Sequence, residues 1–309
     1  LIQVFTKRKI YLKISNPNQI FGVSMVLLAG VFWSTSGLIY RLIEEATSWQ
    51  VLFYRSLALL IMLTLLLGFR YRLKFFRVFS GSLKPSLIGG FCLGIAFTGF
   101  ILALENTTVP NAMFILAVAP FTTALLGRVI LGESILSYMW VCMTATVIGL
   151  AIMVGEEISL GRGLGELSAL IAALGFSGMT VSLRYNRKND LLTTIFLASL
   201  FATIFATLIL TIRESSFILQ TIDWIYSCGM GIFQIGLGFM LYTKGAPYLK
   251  AVELTLLSLT EIIVGPILVW VVIGEAPSSN ALIGGTIILG AIVMMAIWGT
   301  KTDKKTHAN

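Results

Sequence analysis

Three ionisable residues fall inside long apolar runs of this chain: Arg55, Glu253 and Glu261. A charge in hydrocarbon is costly, so each must be neutralised, paired or turned toward water. Glu261 lies near the centre of its run. It suits a proton-coupling group or a ligand for a substrate amine, and equally a structural acid hydrogen-bonded to neighbouring helices. Glu253 sits about one turn inside the same run, three residues after Lys250, a spacing that allows a helical ion pair. The alternative is a ligand for a substrate ammonium group at the mouth of a cavity. On one unbroken helix the eight-residue spacing places the two acids within about 80° of each other. Arg55 falls about two turns from the end of the second run. It can hold a carboxylate or phosphate of a solute, or it can bind helix-end carbonyls or Glu261.

Trp33, Ser34, Phe97, Asn111, Phe176, Ser177 and Gln234 are further candidates for lining a cavity between the runs. Polar groups at such depth also bridge helices, and aromatic rings also simply pack. Other chemistries are poorly supplied. The single histidine, His307, lies in a polar tail, so no histidine-based metal centre or triad is expected. Cys92, Cys142 and Cys228 lie in apolar stretches without a CxxC pair and read as small buried hydrophobes. Gly161-Arg162-Gly163-Leu164-Gly165 imitates a phosphate loop but lacks the following Lys-Ser/Thr and a preceding strand, so it reads as a turn. No Walker motif occurs, and no cofactor is expected. A membrane-embedded enzyme needs clustered His, Asp or Ser groups, which two acids on one helix do not supply. A receptor or scaffold is the other rival.

The elements that must carry these residues are membrane spans. The 309 residues are 57% hydrophobic and 12% charged. Soluble domains have about 45–50% apolar and ~25% charged residues. Runs of about 20 apolar residues, long enough to cross hydrocarbon, occur at 22–43, 49–68, 86–104, 110–131, 137–155, 164–184, 191–212, 224–243, 250–273 and 280–299. The expected fold is therefore an all-α integral membrane protein of ten transmembrane helices. Residues 1–21 and 300–309 are polar tails, and the first run, about 20 residues after a basic segment, lacks a clear small-residue cleavage site, so an uncleaved first span is expected. The net charge of +8 follows the loops. With both termini cytoplasmic, 18 of the 22 Lys and Arg fall on the cytoplasmic side and three opposite, Arg55 being within a span. That bias fixes an orientation in the cell (inner) membrane and explains the basic excess without nucleic acid. Interleaved Arg70, Arg72, Lys74 and Arg77 with Tyr71, Phe75 and Phe76 suit an interfacial loop with snorkelling cations in contact with membrane lipid.

The two halves resemble each other. Gly22 to Arg41 matches Gly165 to Arg184, with Trp33-Ser34 against Phe176-Ser177. Gly99-Phe100 matches Gly238-Phe239, Ala112 matches Ala251, Gly132-Glu133 matches Gly274-Glu275, and Gly149 matches Gly290. The units are 22–155 and 164–299. Each holds five spans, an odd number, so the second must be inverted relative to the first. Loop 69–84 has five basic residues and its counterpart near 213–223 has only Arg213, as inversion requires. Inverted repeats allow two halves to rock about a site at the membrane midplane.

These residues, together with Arg55, Pro120 and Glu261, resemble the drug/metabolite transporter superfamily, in particular the EamA family of ten-helix carriers with two EamA repeats. The resemblance spans about 22–299. It implies a solute carrier, often an exporter, and does not name the solute. The aromatic candidates and the mixture of Arg and Glu point to a small organic metabolite such as an amino acid, moved by alternating access, with protons as the candidate coupling ion. Proton-coupled export of drugs or cations is the alternative. The small multidrug exporters carry a membrane-embedded glutamate in their first span, where this chain has Ser34-Thr35-Ser36. The family often has Glu-Pro in the ninth span. Here Ile262 follows Glu261 and the proline is Pro266, so a kink there is expected to be displaced by a turn.

Overall fold

Runs of Leu, Ile, Val and Ala with few breakers satisfy every backbone group internally only as helices, and helix is what they form. A computed structural model describes residues 17–40, 42–72, 83–107, 109–154, 163–186, 190–274 and 278–306. Residues 1–16, Arg41, the middle of the basic–aromatic loop at 73–82, Gly161, Arg162, Glu275 and His307 lie outside these, as does the side chain of Asn111. Among the described residues all regular structure is helical.

The helices are α1 (Pro17–Tyr40), α2 (Ser48–Tyr71) and α3 (Leu83–Asn106), then α4 in two pieces, α4a (Val109–Leu116) and α4b (Ala119–Leu131). α5 (Ser137–Val154), α6 (Leu164–Tyr185) and α7 (Leu192–Ile212) follow. α8 spans Thr221–Tyr248, α9 is again divided into α9a (Ala251–Ser258) and α9b (Thr260–Ile273), and α10 is Ser279–Thr306. Nine of these segments are long and apolar enough to cross a bilayer, and Ser137–Met153 is a shorter apolar helix. The chain is thus a multi-pass helical membrane protein. Its surface agrees: Leu65, Ile88, Val129, Leu208, Val271 and Leu282 all point outward and are more than half exposed. Such a coat suits acyl chains and not water.

Helix ends follow local rules. Thr47 and Gln50 cap the start of α2 reciprocally. Gly132 and Gly274 end α4b and α9b in the left-handed conformation, at φ 67° and 84°, which glycine adopts without steric cost.

Close helix approach is set by small residues. α3 lies against α6 and α7, and α6 also packs on α4b. α1 packs on α8 and α9b, α2 on α7 and α8, and α5 on α10. A β-carbon added at Gly90 would lie 2.6 Å from Leu197 Cβ, and one at Gly94 2.8 Å from Phe201 Cβ, so these glycines let α3 meet α7.

Polar contacts tie the helices at both ends of the bundle. At one end the Arg184 Nε donates to Glu133 (2.9 Å) and its terminal nitrogen to the Pro247 carbonyl (2.7 Å). The second Glu133 oxygen accepts the Ala251 N–H (2.9 Å). Four elements thereby meet on one ion pair. Nearby, Asp190 accepts from the Tyr71 hydroxyl (2.6 Å) and pairs with Arg70 (3.1 Å). At the opposite end, Asp223 accepts the N–H groups of Glu44, Glu45 and Ala46 (3.1, 3.0 and 2.8 Å). There Gln50 donates to the Ser216 carbonyl (2.7 Å), and Arg213 pairs with Glu105 (3.1 Å).

Candidate functional site

Three helices depart from regular α geometry between these two ends. α4 breaks at Ala117–Val118 because Pro120, in the first turn of α4b, cannot donate to the preceding turn and crowds the Leu116 carbonyl. The N–H of Ala117 is shared between the Met113 and Phe114 carbonyls instead. α9 breaks at Leu259 without a proline at the break. The hydroxyls of Thr255, Ser258 and Thr260 each bond back to carbonyls three or four residues earlier, competing with the regular ladder. α9b then runs through Pro266 unbroken. The interruption at Leu259 is thus set by hydroxyl back-bonding and lies well before Pro266. α8 is α-helical over Thr221–Gly229 and Gly238–Gly245, closes in a 3₁₀ turn at Ala246–Tyr248, and is π-helical over Met230–Leu237, a form that concentrates at functional positions.

Gln234 lies in that π segment, 7% exposed, and donates to the Trp33 carbonyl (3.3 Å) while its own oxygen has no partner. The rings gather around Trp33. Its centroid is 4.8 Å from Phe239, 5.3 Å from Tyr242 and 6.2 Å from Phe176. Phe97 joins through Phe239 at 5.9 Å. The Tyr242 hydroxyl is 3.0 Å from Thr180 Oγ1. The group draws on α1, α3, α6 and α8. Gly238 makes it possible, because an added β-carbon there would collide with the Trp33 indole.

Arg55 completes the cluster. Its guanidinium lies 5.2 Å from the Phe97 centroid, a cation–π geometry. The residue is buried, and its Nε has no partner. Gly231 packs directly on the Arg55 carbonyl, which fixes where the side chain starts.

Five sequence candidates thus converge: Trp33, Arg55, Phe97, Phe176 and Gln234. The described side chains of Ser34, Ser177 and Glu253 are engaged elsewhere. Ser34 donates to the Val31 carbonyl of its own helix (2.6 Å). Ser177 lies within hydrogen-bond distance of the Ala119 and Ala173 carbonyls (3.0 and 2.8 Å) and of Thr122 Oγ1 (2.5 Å), so it bridges α6 to the broken end of α4. Glu253 accepts the Lys250 backbone N–H (2.9 Å) and faces the Tyr138 hydroxyl (3.3 Å), capping α9a. Glu261 stands in the first turn of α9b, where the positive end of that half-helix favours a carboxylate. Because α9 is interrupted between the two acids, the angle calculated for an unbroken helix does not hold. No ion pair joins Arg55 to Glu261 among the described residues. Phe239 and Tyr242 were not among the sequence candidates. Their i, i+3 spacing on one helix face, and the match of Phe239 to Phe100, were the available signals.

Fold and site together define a multi-pass helical membrane protein with a buried aromatic and cationic centre. The sequence pattern of the EamA-like transporter family matches residues 20–155 and again 163–297. The chain belongs to that family. It is 24% identical over 202 residues to an uncharacterized transporter of Archaeoglobus fulgidus, covering 65% of this chain and 72% of the relative. A protein of known crystal structure shares the fold with a TM-score of 0.72 at 16% identity, over 90% of this chain and 98% of that one.

Proposed function

We propose that the chain is a secondary carrier, working as an exporter by alternating access, for a small organic metabolite such as an amino acid. The observation that carries this reading is the buried ring cluster around Trp33 with an unpaired Arg55 beside it: an amphipathic solute meets apolar walls and one fixed charge. Helix pairing supports two inverted five-helix repeats. Exchanging each helix for the one five places along converts α1–α8 into α6–α3, α1–α9 into α6–α4 and α2–α8 into α7–α3, and leaves α2–α7 and α5–α10 unchanged. The interrupted helices, α4 and α9, are also partners under this exchange, and interrupted spans in matching positions mark the substrate sites of such carriers. The charge bias supports a topology with both termini in the cytoplasm and the protein in the inner membrane.

The test is flux. Purified chain in liposomes is expected to move at least one member of a broad panel of amino acids and related metabolites. Gln234→Leu, which keeps the volume but removes the amide, should lower kcat/KM about tenfold, equivalent to ~1.4 kcal/mol. Folded protein that moves nothing in the panel would refute the proposal.

Proton-coupled export of a drug or cation is favoured by one observation, that Glu261 enters no ion pair among the described residues. A coupling carboxyl takes up a proton on one side and releases it on the other. Glu261→Gln is then expected to leave flux insensitive to a pH gradient while the thermal midpoint holds. Unchanged gradient dependence would assign Glu261 to structure.

A further inference from the structure

Arg55 has no anion. The residue is 6% exposed, and none of its nitrogens enters a hydrogen bond or ion pair with another described residue. Of the acids toward the same end of the bundle, Asp223 is committed to the three amides of the α1–α2 connection and Glu105 to Arg213, while Glu44, Glu45 and Glu214 are exposed. A guanidinium offers five donors, no acceptor, and cannot shed its charge. Phe97 supplies a ring face but not a counter-charge. Such a position is incomplete until an anionic oxygen arrives.

The surroundings set the shape of what arrives. Gly231 rests on the Arg55 backbone and Gly238 on the Trp33 indole. They stand seven positions apart on α8, across its π segment. Phe97 and Phe239, ring to ring, link Arg55 to Trp33. Gln234 adds a buried acceptor without a partner.

We propose that Arg55 is the head-group site for an anionic solute, carboxylate, sulfonate or phosphate, whose apolar body lies along Phe97, Phe239 and Trp33. We further infer that the protein exchanges one such anion for another. This rests on the carrier reading above. With the site loaded, the central charge is neutralised and the two halves can close over it. With it empty, closure would seal an uncompensated cation in a medium of low dielectric, so the unloaded carrier reorients slowly.

The probes share one body and carry fixed charge: 3-phenylpropane-1-sulfonate, 3-phenylpropan-1-ol and trimethyl(3-phenylpropyl)ammonium. Binding to the full chain is read by tryptophan fluorescence. The sulfonate is expected to bind at least tenfold more tightly than either other probe. Arg55→Lys should keep that order, and Arg55→Gln should bring the three within threefold. Labelled sulfonate should enter liposomes preloaded with unlabelled sulfonate at least tenfold faster than empty ones. Equal affinities, including no binding by any probe, or a preference for the alcohol or the cation, overturn the anion site in the unmodified protein. Equal rates into loaded and empty liposomes overturn the exchange. If metabolites are carried and Arg55→Gln carries them as well as the parent, the anion site fails while carriage stands. If the sulfonate binds but no solute crosses, carriage fails while the anion site stands.

Discussion

Asp223→Ala is expected to lower the thermal midpoint of the detergent-solubilised protein more than truncation of any other polar side chain that ties the bundle at its ends. Asp223 is fully buried and its carboxylate accepts three consecutive backbone N–H groups, those of Glu44, Glu45 and Ala46. Removing it orphans all three, at roughly 1–3 kcal/mol for each donor left unsatisfied. Some water reaches this connection, since Glu44 and Glu45 are exposed, so the net loss is set at about 3 kcal/mol, a shift on the order of 5 °C or more. Asp223→Asn retains one acceptor oxygen and should lose less. Arg213→Ala removes a half-exposed ion pair and should shift the midpoint little, because exposed pairs contribute about 0–1 kcal/mol. A midpoint for Asp223→Ala no lower than that of Arg213→Ala would contradict the account. The same contact joins the α1–α2 connection to the start of α8.

The second large effect is expected from a single methyl group. Gly231→Ala would place a β-carbon into the Arg55 carbonyl and 3.1 Å from Ala58 Cβ. Backbone cannot swing aside as a side-chain end can, so α2 and α8 must part. Overpacking of this kind costs about 1–3 kcal/mol, against a helix-propensity gain of up to ~1 kcal/mol for alanine over glycine. Parting the helices moves Arg55 off Phe97, and flux should fall tenfold or more. Gly229→Ala is the control. It lies two residues earlier in α8, and an added β-carbon there meets nothing within 4 Å. That variant should be neutral or slightly stabilised with full flux. Equal behaviour of the two variants, read by thermal midpoint and liposome flux, would remove packing as the explanation.

Gly229 and Gly231 cannot be told apart by composition or spacing, and this marks where sequence reading ends. The helices were legible because lipid imposes one rule on every backbone group, and that rule leaves long apolar runs that can be counted directly. The break in α4 was within reach, since Pro120 has no N–H to donate. The break in α9 was not. Its hydroxyls at Thr255, Ser258 and Thr260 can equally bond along an intact helix, and which course they take depends on α1 pressing Gly30 against Thr260. The π segment of α8 carries no mark of its own, because it is a fit to Arg55 and Met62 of α2 and to Trp33 of α1.

Of the candidate residues, type alone selected Trp33, Arg55, Phe97, Phe176 and Gln234 as capable of meeting a solute, and the chain brings these five together. Type alone equally admitted Ser34, Ser177 and Glu253, whose polar atoms are taken up by neighbouring carbonyls, hydroxyls or amides. Residue chemistry and apolar length thus determined the membrane class, the helix positions and the family, because these depend on composition and order along one dimension. Which polar groups stay unpaired in the interior is decided by distances between helices far apart in the chain. Only the packed structure shows that Arg55 meets a ring and, among the described residues, no carboxylate.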